Sequence, residues 1–303
     1  MSAIPLPKSA SVELPSDTPA MSRGLQAAWM LAKREWIRFF RQPFRVIAAL
    51  GQPILFWILF GTGLHGAFRG PDAGSSFMTY FLPGTTALIL LFTAIFATIS
   101  IIEDRREGFL QGVLVAPPGR WSIVLGKALG GSAIAWAQAS LFLALAWLSG
   151  SMSIGWHWIP MLAFLFIAAM AITSLGVLCA WPMESTQGYH AIMNLVLMPM
   201  WLLSGAFFPI PAWTAGQPIG QSVMHWIMVL NPMTYIVAGL RQLLATGPAL
   251  SNTVSSNPIS SSTDNSFWNA GIAQCWWVTC LFAVIAFGTA VWMVQRRQRG
   301  EFQ

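Results

Sequence analysis

Between Lys127 and Glu184 the chain carries no Asp, Glu, Lys or Arg. A helix needs only about 20 apolar residues to cross a bilayer, so this run is too long for a single crossing. The polar turn around residues 150–157 divides it, with Trp156 and Trp158 placed as interface anchors. The composition agrees: of 303 residues, 55% are hydrophobic and 9% charged, where soluble domains carry about 25% charged residues. A transmembrane barrel would show short alternating segments instead. The fold class is therefore an all-α integral membrane protein.

Six transmembrane helices are predicted, at about 44–64, 80–102, 123–148, 158–181, 191–208 and 272–294. Residues 1–21, rich in Pro and Ser, read as a disordered cytoplasmic tail. From 22 to 43 the chain reads as an amphipathic interfacial helix. Leu25, Trp29, Ala32, Trp36 and Phe39 recur at helical spacing, with Lys33, Arg34, Arg38 and Arg41 on the remaining surface. That pattern predicts a helix lying in the headgroup layer. The six-span membrane domain is then 44–303. Within it, the region 209–269 is predicted to form an outer re-entrant element broken at Asn231-Pro232, followed by an outer Ser/Asn/Thr-rich loop.

The net charge of +6 does not imply nucleic acid, because the basic residues flank the spans. With both termini in the cytoplasm, every Lys and Arg except Arg69 and Arg241 falls on the inner side. This asymmetry is a topology signal. Cys179, Cys275 and Cys280 all lie in apolar spans without metal spacing and read as buried thiols.

Inside this topology sits one charged island, residues 103–127, on the cytoplasmic side. It opens with Glu103, Asp104, Arg105, Arg106 and Glu107. Phe109, Leu110, Val113 and Leu114 follow as the stripe of a short amphipathic helix, which Pro117-Pro118-Gly119 ends.

Catalytic chemistry finds little support. His65, His157, His190 and His225 form no HExxH pair, and Ser204-Gly205 belongs to no nucleophile elbow. Gly119 and Gly126-Lys127 imitate a phosphate loop, but the spacing is too long and Ala128 stands where Ser or Thr is needed. Away from their ends the predicted spans hold no ionisable acid or base, which weakens ion-coupled transport. A secondary transporter or channel working without an ATPase remains the alternative, and no catalytic or metal residues are assigned.

Four segments together carry a resemblance: the basic helix before the first span, REGFLQGVLVAPPGRWSIVLGK after the second, LLSGAFFPI ending the fifth, and LNPMTYIVAGLRQLL before the sixth. In this order they resemble the permease subunit of the type-2 family of ATP-binding cassette exporters. Glu107, Gly108, Leu110, Leu114, Pro117, Arg120, Gly126 and Lys127 fit the family's cytoplasmic segment, while Phe109, Gln111 and Ala116 depart from it. The resemblance implies a paired permease at the cell inner membrane, with separate ATPase subunits docked beneath and the substrate pathway between two copies. ATP and Mg would be held by the ATPase partner and no cofactor by this chain. Glu103, Arg105, Arg106, Glu107, Gly108, Phe109, Leu110, Leu114 and Pro117 would form the surface that receives the ATPase. Trp29, Lys33, Arg34, Trp36 and Arg38 would form the interfacial helix, and Asn231 and Pro232 the break of the re-entrant element.

Overall fold

A computed structural model describes residues 20–64, 77–115, 119–150, 158–211, 213, 216–245 and 270–297. Among them the chain is helical, with no strand. The helices are α1 (Ala20–Phe40), α2 (Pro43–Gly63), α3 (Phe77–Arg106), α4 (Phe109–Val115), α5 (Arg120–Leu148) and α6 (Trp158–Ala180). They continue with α7 (Thr186–Trp201), a π-turn (Leu202–Ala206), α8 (Ile219–Leu230), α9 (Pro232–Ala245) and α10 (Ile272–Arg297).

Five of these, α2, α3, α5, α6 and α10, are each long and apolar enough to cross a membrane. The fifth predicted span falls on α7 and its π-turn, starting at Thr186 rather than 191 and ending at Ala206; α7 has only 16 residues, and the sixth stretch long and apolar enough to cross is the bent pair α8 and α9 instead. Ser185 sets that start by accepting a hydrogen bond from Gly188 N at 3.0 Å. The end is set by Gly205, whose φ of 77° takes the chain out of the helix. The pair α8 and α9 is bent by 72° at Asn231, as the sequence predicts.

α3 is the axis of the bundle. It is buried along nearly its whole length, with α2, α5, α6, α7 and α9 packed around it. Between helices in lipid the hydrophobic effect adds little, so close packing and polar contacts hold the bundle. Both are present here. Gly131 faces Ala97 and Thr173, and Gly176 faces Thr98, at distances that leave no room for a side chain. Indole N–H groups tie neighbouring helices: Trp57 donates to Met78 O at 3.0 Å, Trp136 to Leu162 O at 2.9 Å and Trp201 to Gly84 O at 2.8 Å. Thr85, Thr86 and Thr98 return their hydroxyls to carbonyls one turn back within α3, which satisfies them away from water.

Two expectations need correction. Ala20 and Met21 belong to helix α1, not to a tail; residues 1–19 lie outside the described residues, as do 246–269 with the predicted outer loop. The face of α1 that meets protein is also not the whole of the predicted apolar stripe. Ala28, Leu31, Ala32, Glu35 and Phe39 are buried, while Leu25, Trp29 and Trp36 are exposed. α1 also follows α5 in the same direction, Gly24 beside Trp121, Ala28 beside Gly126 and Ala32 beside Gly130. It leans along a span rather than presenting only a headgroup face.

Candidate functional site

The reason for α1's position is a stripe of small residues. Gly24, Ala28 and Ala32 recur every four residues; Gly24 lies against Trp121, while Ala28 and Ala32 meet Gly126 and Gly130 of α5. A Cβ at Gly126 would lie 2.7 Å from Ala28 O, and one at Gly130 would lie 3.1 Å from the Ala32 Cα. Backbones can approach this closely only where side chains are missing.

That approach delivers the charged residues of α1 to the inner end of α3. Asp104, wholly buried, accepts a two-pronged hydrogen bond from Arg34, at 2.9 and 2.8 Å, and another from Arg38 at 2.6 Å. Lys127 of α5, also buried, donates to Asp104, to Glu35 at 2.7 Å and to Ser100 Oγ at 3.1 Å. Arg38 reaches Glu103 at 2.8 Å, and Arg45 at the start of α2 donates to the same carboxylate. With Glu107 3.6 Å from Arg38, four cations face four carboxylates, so the cluster is close to neutral. Neutrality and many charge-assisted bonds are the conditions under which charges persist away from water. The Asp104 hydrogen bond raises the Arg34 guanidinium above its ordinary range despite partial burial, and so keeps it charged.

α3 then breaks. Glu107 and Gly108 form a turn in which Gly108 has a φ of 77°, a conformation glycine takes without strain, and α4 begins at once. Phe109 lies under the Arg34 guanidinium, 3.8 Å from its carbon, and Leu110 is buried. The side chain of Leu114 and the whole of Pro117 lie outside the described residues. Arg105 donates to Trp181 O at 2.6 Å and Met183 O at 3.2 Å, and Arg106 Nε to Glu184 O at 3.1 Å. The end of α3 thereby holds the turn between α6 and α7.

The predicted residues thus divide. Arg34, Arg38, Glu103, Arg105 and Arg106 bond within the protein, Arg34 and Arg38 to carboxylates of α3. Lys33, Arg106, Glu107 and Gly108 are exposed. Glu35 and Arg45 were given no site role from the sequence, Asp104 was named only as part of the charged island, and Lys127 chiefly for its fit to the family's cytoplasmic segment. Glu35 carried a signal, as the one acid in a basic helix, in register with Ala28 and Ala32. Lys127 carried another, beside the glycine pair that admits α1.

Away from this cluster, Asn231 makes the bend between α8 and α9. Its Nδ2 donates to Met200 O at 2.5 Å, its Oδ1 accepts from Met233 N at 3.0 Å, and Thr234 Oγ1 donates to Met228 O at 2.6 Å. Pro232 starts α9 without an N–H to satisfy. Replacing Asn231 with Ala is expected to destabilise this junction by about 1–3 kcal/mol, through lost capping and an orphaned buried carbonyl. A detergent melting curve unchanged from wild type would show that the bend holds without it. His190 packs edge-on to Phe96 and His225 bonds Pro211 O at 2.8 Å. Cys275 is buried, Cys179 and Cys280 half-buried, and all three are free thiols. Among the described residues no three His, Cys, Asp or Glu side chains group as metal ligands.

The fold and the cluster define an all-α membrane bundle with an ion-paired N-terminal helix and a short helix hung from its central span. The ABC-2 type transporter family matches residues 26–245, and the chain belongs to that family. It is 28% identical over 273 residues to the putative transport permease ycf38 of Cyanophora paradoxa, covering 87% of each chain. It is 25% identical over 166 residues to the linearmycin resistance permease protein LnrN of Bacillus subtilis (strain 168), covering 54% of this chain and 40% of that one. Nodulation protein J of Rhizobium leguminosarum bv. viciae is 27% identical over 172 residues, covering 54% of this chain and 64% of its own.

Proposed function

We propose that this permease is one half of the membrane portion of an ATP-driven exporter, pairing with a second copy or homologue and receiving separate ATPase subunits at the exposed end of α3 and α4. The observation that carries this reading is the continuity from α4 to the ion cluster. Phe109 stacks on Arg34, Arg34 bonds Asp104 of α3, and Asp104 bonds Lys127 of α5. A displacement of α4 is therefore passed to α1, α3 and α5 together, because packed elements with few arrangements move as units. The exposed Arg106, Glu107, Gly108 and Gly112 offer the contact. A partner that binds differently with and without ATP supplies the bias.

Pairing of two copies is supported by α2 and α10, which leave Phe44, Ile47, Ile58 and Leu59, and Trp277, Leu281, Val284 and Ile285, exposed in a single copy. Lipid covers what the second copy does not. In this reading both termini and the ion cluster face the cytoplasm, the α8–α9 bend faces outward, and the bilayer is the cell inner membrane.

The test is purification in mild detergent with identification of co-purifying proteins, followed by ATP turnover of the complex. A stoichiometric partner with a phosphate-binding loop is expected. Reversing charge at both positions, Arg106→Glu with Glu107→Arg, is expected to leave membrane insertion intact and lower transport-stimulated ATP turnover tenfold or more. Normal stimulated turnover in that double variant would count against the docking surface. A chain that stays alone and still moves solute in vesicles would overturn the ATP-driven reading.

A further inference from the structure

Arg241 of α9 lies at the edge of the bundle opposite the ion cluster. Its neighbour Tyr80 stands one turn into α3, and at 1.5 Å per residue Tyr80 and Asp104 are about 36 Å apart along that helix. The guanidinium is held in place but not neutralised. Nη2 donates to Gly205 O at 2.8 Å, and the guanidinium carbon stands 4.4 Å from the centre of the Tyr80 ring. Tyr80 Oη donates to the same Gly205 carbonyl at 3.2 Å. Nε of Arg241 is buried with no hydrogen-bond partner, and among the described residues no carboxylate pairs with this side chain. The contrast with the inner cluster is plain, since there every cation has a carboxylate.

A half-buried arginine at the end of a membrane bundle, with no carboxylate beside it among the described residues, is favoured by a ligand that supplies the negative charge. Its planar fork suits a phosphate group, to which it can present two parallel N–H donors. Tyr80 is backed by a chain of aromatic rings, buried at Phe77 and Phe81 and reaching the surface at Phe208. Phe77 packs against Tyr80 at 6.1 Å between ring centres, Phe81 and Phe207 follow, and Phe208 stands exposed against Phe207 at 4.9 Å. A cation linked through Tyr80 to an aromatic chain that reaches the surface matches a molecule with an anionic head and an apolar tail.

We propose that Arg241 binds the phosphate-type head of an amphiphilic anion, whose chain lies along Phe207 and Phe208. The site is independent of the ATPase reading, because its occupancy requires neither nucleotide nor partner.

The experiment uses the full chain in a neutral detergent, with melting midpoint read against increasing decyl phosphate, inorganic phosphate or additional decyl maltoside. A saturable rise with decyl phosphate is expected. Inorganic phosphate should require at least tenfold higher concentration, and decyl maltoside should give no saturable rise. Raising salt should weaken decyl phosphate binding several-fold. Arg241→Gln should raise the half-saturating concentration tenfold or more, and Arg241→Lys, which keeps the charge without the fork, by a smaller factor. Equal response to the neutral amphiphile, or unchanged binding in Arg241→Gln, would overturn the site. Equal potency of inorganic phosphate would reduce it to a bare anion site and overturn the amphiphile. Should Arg241→Gln fail to fold, the wild-type salt dependence and Arg241→Lys decide: binding indifferent to both overturns the proposal.

Discussion

Asp104→Asn is expected to be the most damaging single substitution in this chain. The side chain is fully buried and accepts from Arg34, Arg38 and Lys127. Neutralising it leaves three cations crowded in place with one carboxylate fewer. Removing one partner from such a buried group costs about 3–5 kcal/mol, because the remaining charges stay desolvated. That is a large fraction of a typical folding free energy of about 5–15 kcal/mol. The expected result is a strong fall in folded protein recovered from membranes and a lowered melting midpoint. Glu107→Gln, at an exposed carboxylate 3.6 Å from Arg38, should change little, as exposed pairs contribute about 0–1 kcal/mol. The double variant of Asp104→Asn with Lys127→Met should cost less than the two single variants added, since the two residues share one bond. A wild-type melting midpoint for Asp104→Asn would mean that water reaches the cluster and that it does not bind α1 to α3.

The second large effect is steric. In Gly126→Leu the new Cβ would lie 2.7 Å from Ala28 O and 2.7 Å from the Leu31 Cβ, and backbone cannot yield as a flexible side chain does. Overpacking of this kind costs about 1–3 kcal/mol. Here there is an escape, because α1 packs mainly on α5 and can be pushed off. Its ionic bonds to Asp104 and Lys127 would then be broken together. The expected outcome is trypsin cleavage at Arg34 and Arg38, which are held in bonds in the wild type, along with a lower melting midpoint. Gly112→Ala, with open space around its Cβ position, is the matched control and should cut as wild type does. Equal protection of α1 in Gly126→Leu would show that the glycine pair is not its seat.

How much of this was legible follows from the solvent. Long uncharged runs have few fates, so α2, α3, α5, α6 and α10 were readable to within a few residues, and Asn231-Pro232 announced its own bend. The stripe Phe109, Leu110, Val113 was enough for α4. Which face of α1 meets protein was not readable from hydrophobic periodicity. In lipid an exposed Trp29 or Leu25 is as well placed as a buried one, so an apolar stripe does not reveal which face meets protein. The small residues Gly24, Ala28 and Ala32 do reveal it. The ion pairs were hidden for a different reason: Arg34 meets Asp104 across 70 positions and Lys127 meets Glu35 across 92. No local pattern encodes which of several cations and carboxylates will face one another at that range.

The seating of α1 on α5 also sets an order in time. During synthesis at about 5–20 residues per second, Lys127 follows Glu35 by 92 positions, an interval of roughly 5–20 s. Through that interval α1 has been made but has no complete glycine seat, and Glu35 waits for Lys127. For most of it Arg34 and Arg38 also wait for Asp104, which precedes Lys127 by only 23 positions. Only when α3 and α5 have both entered the membrane can the leading helix settle. A segment made before both spans is thus secured after them, and its ion pairs report that α3 and α5 have been inserted side by side.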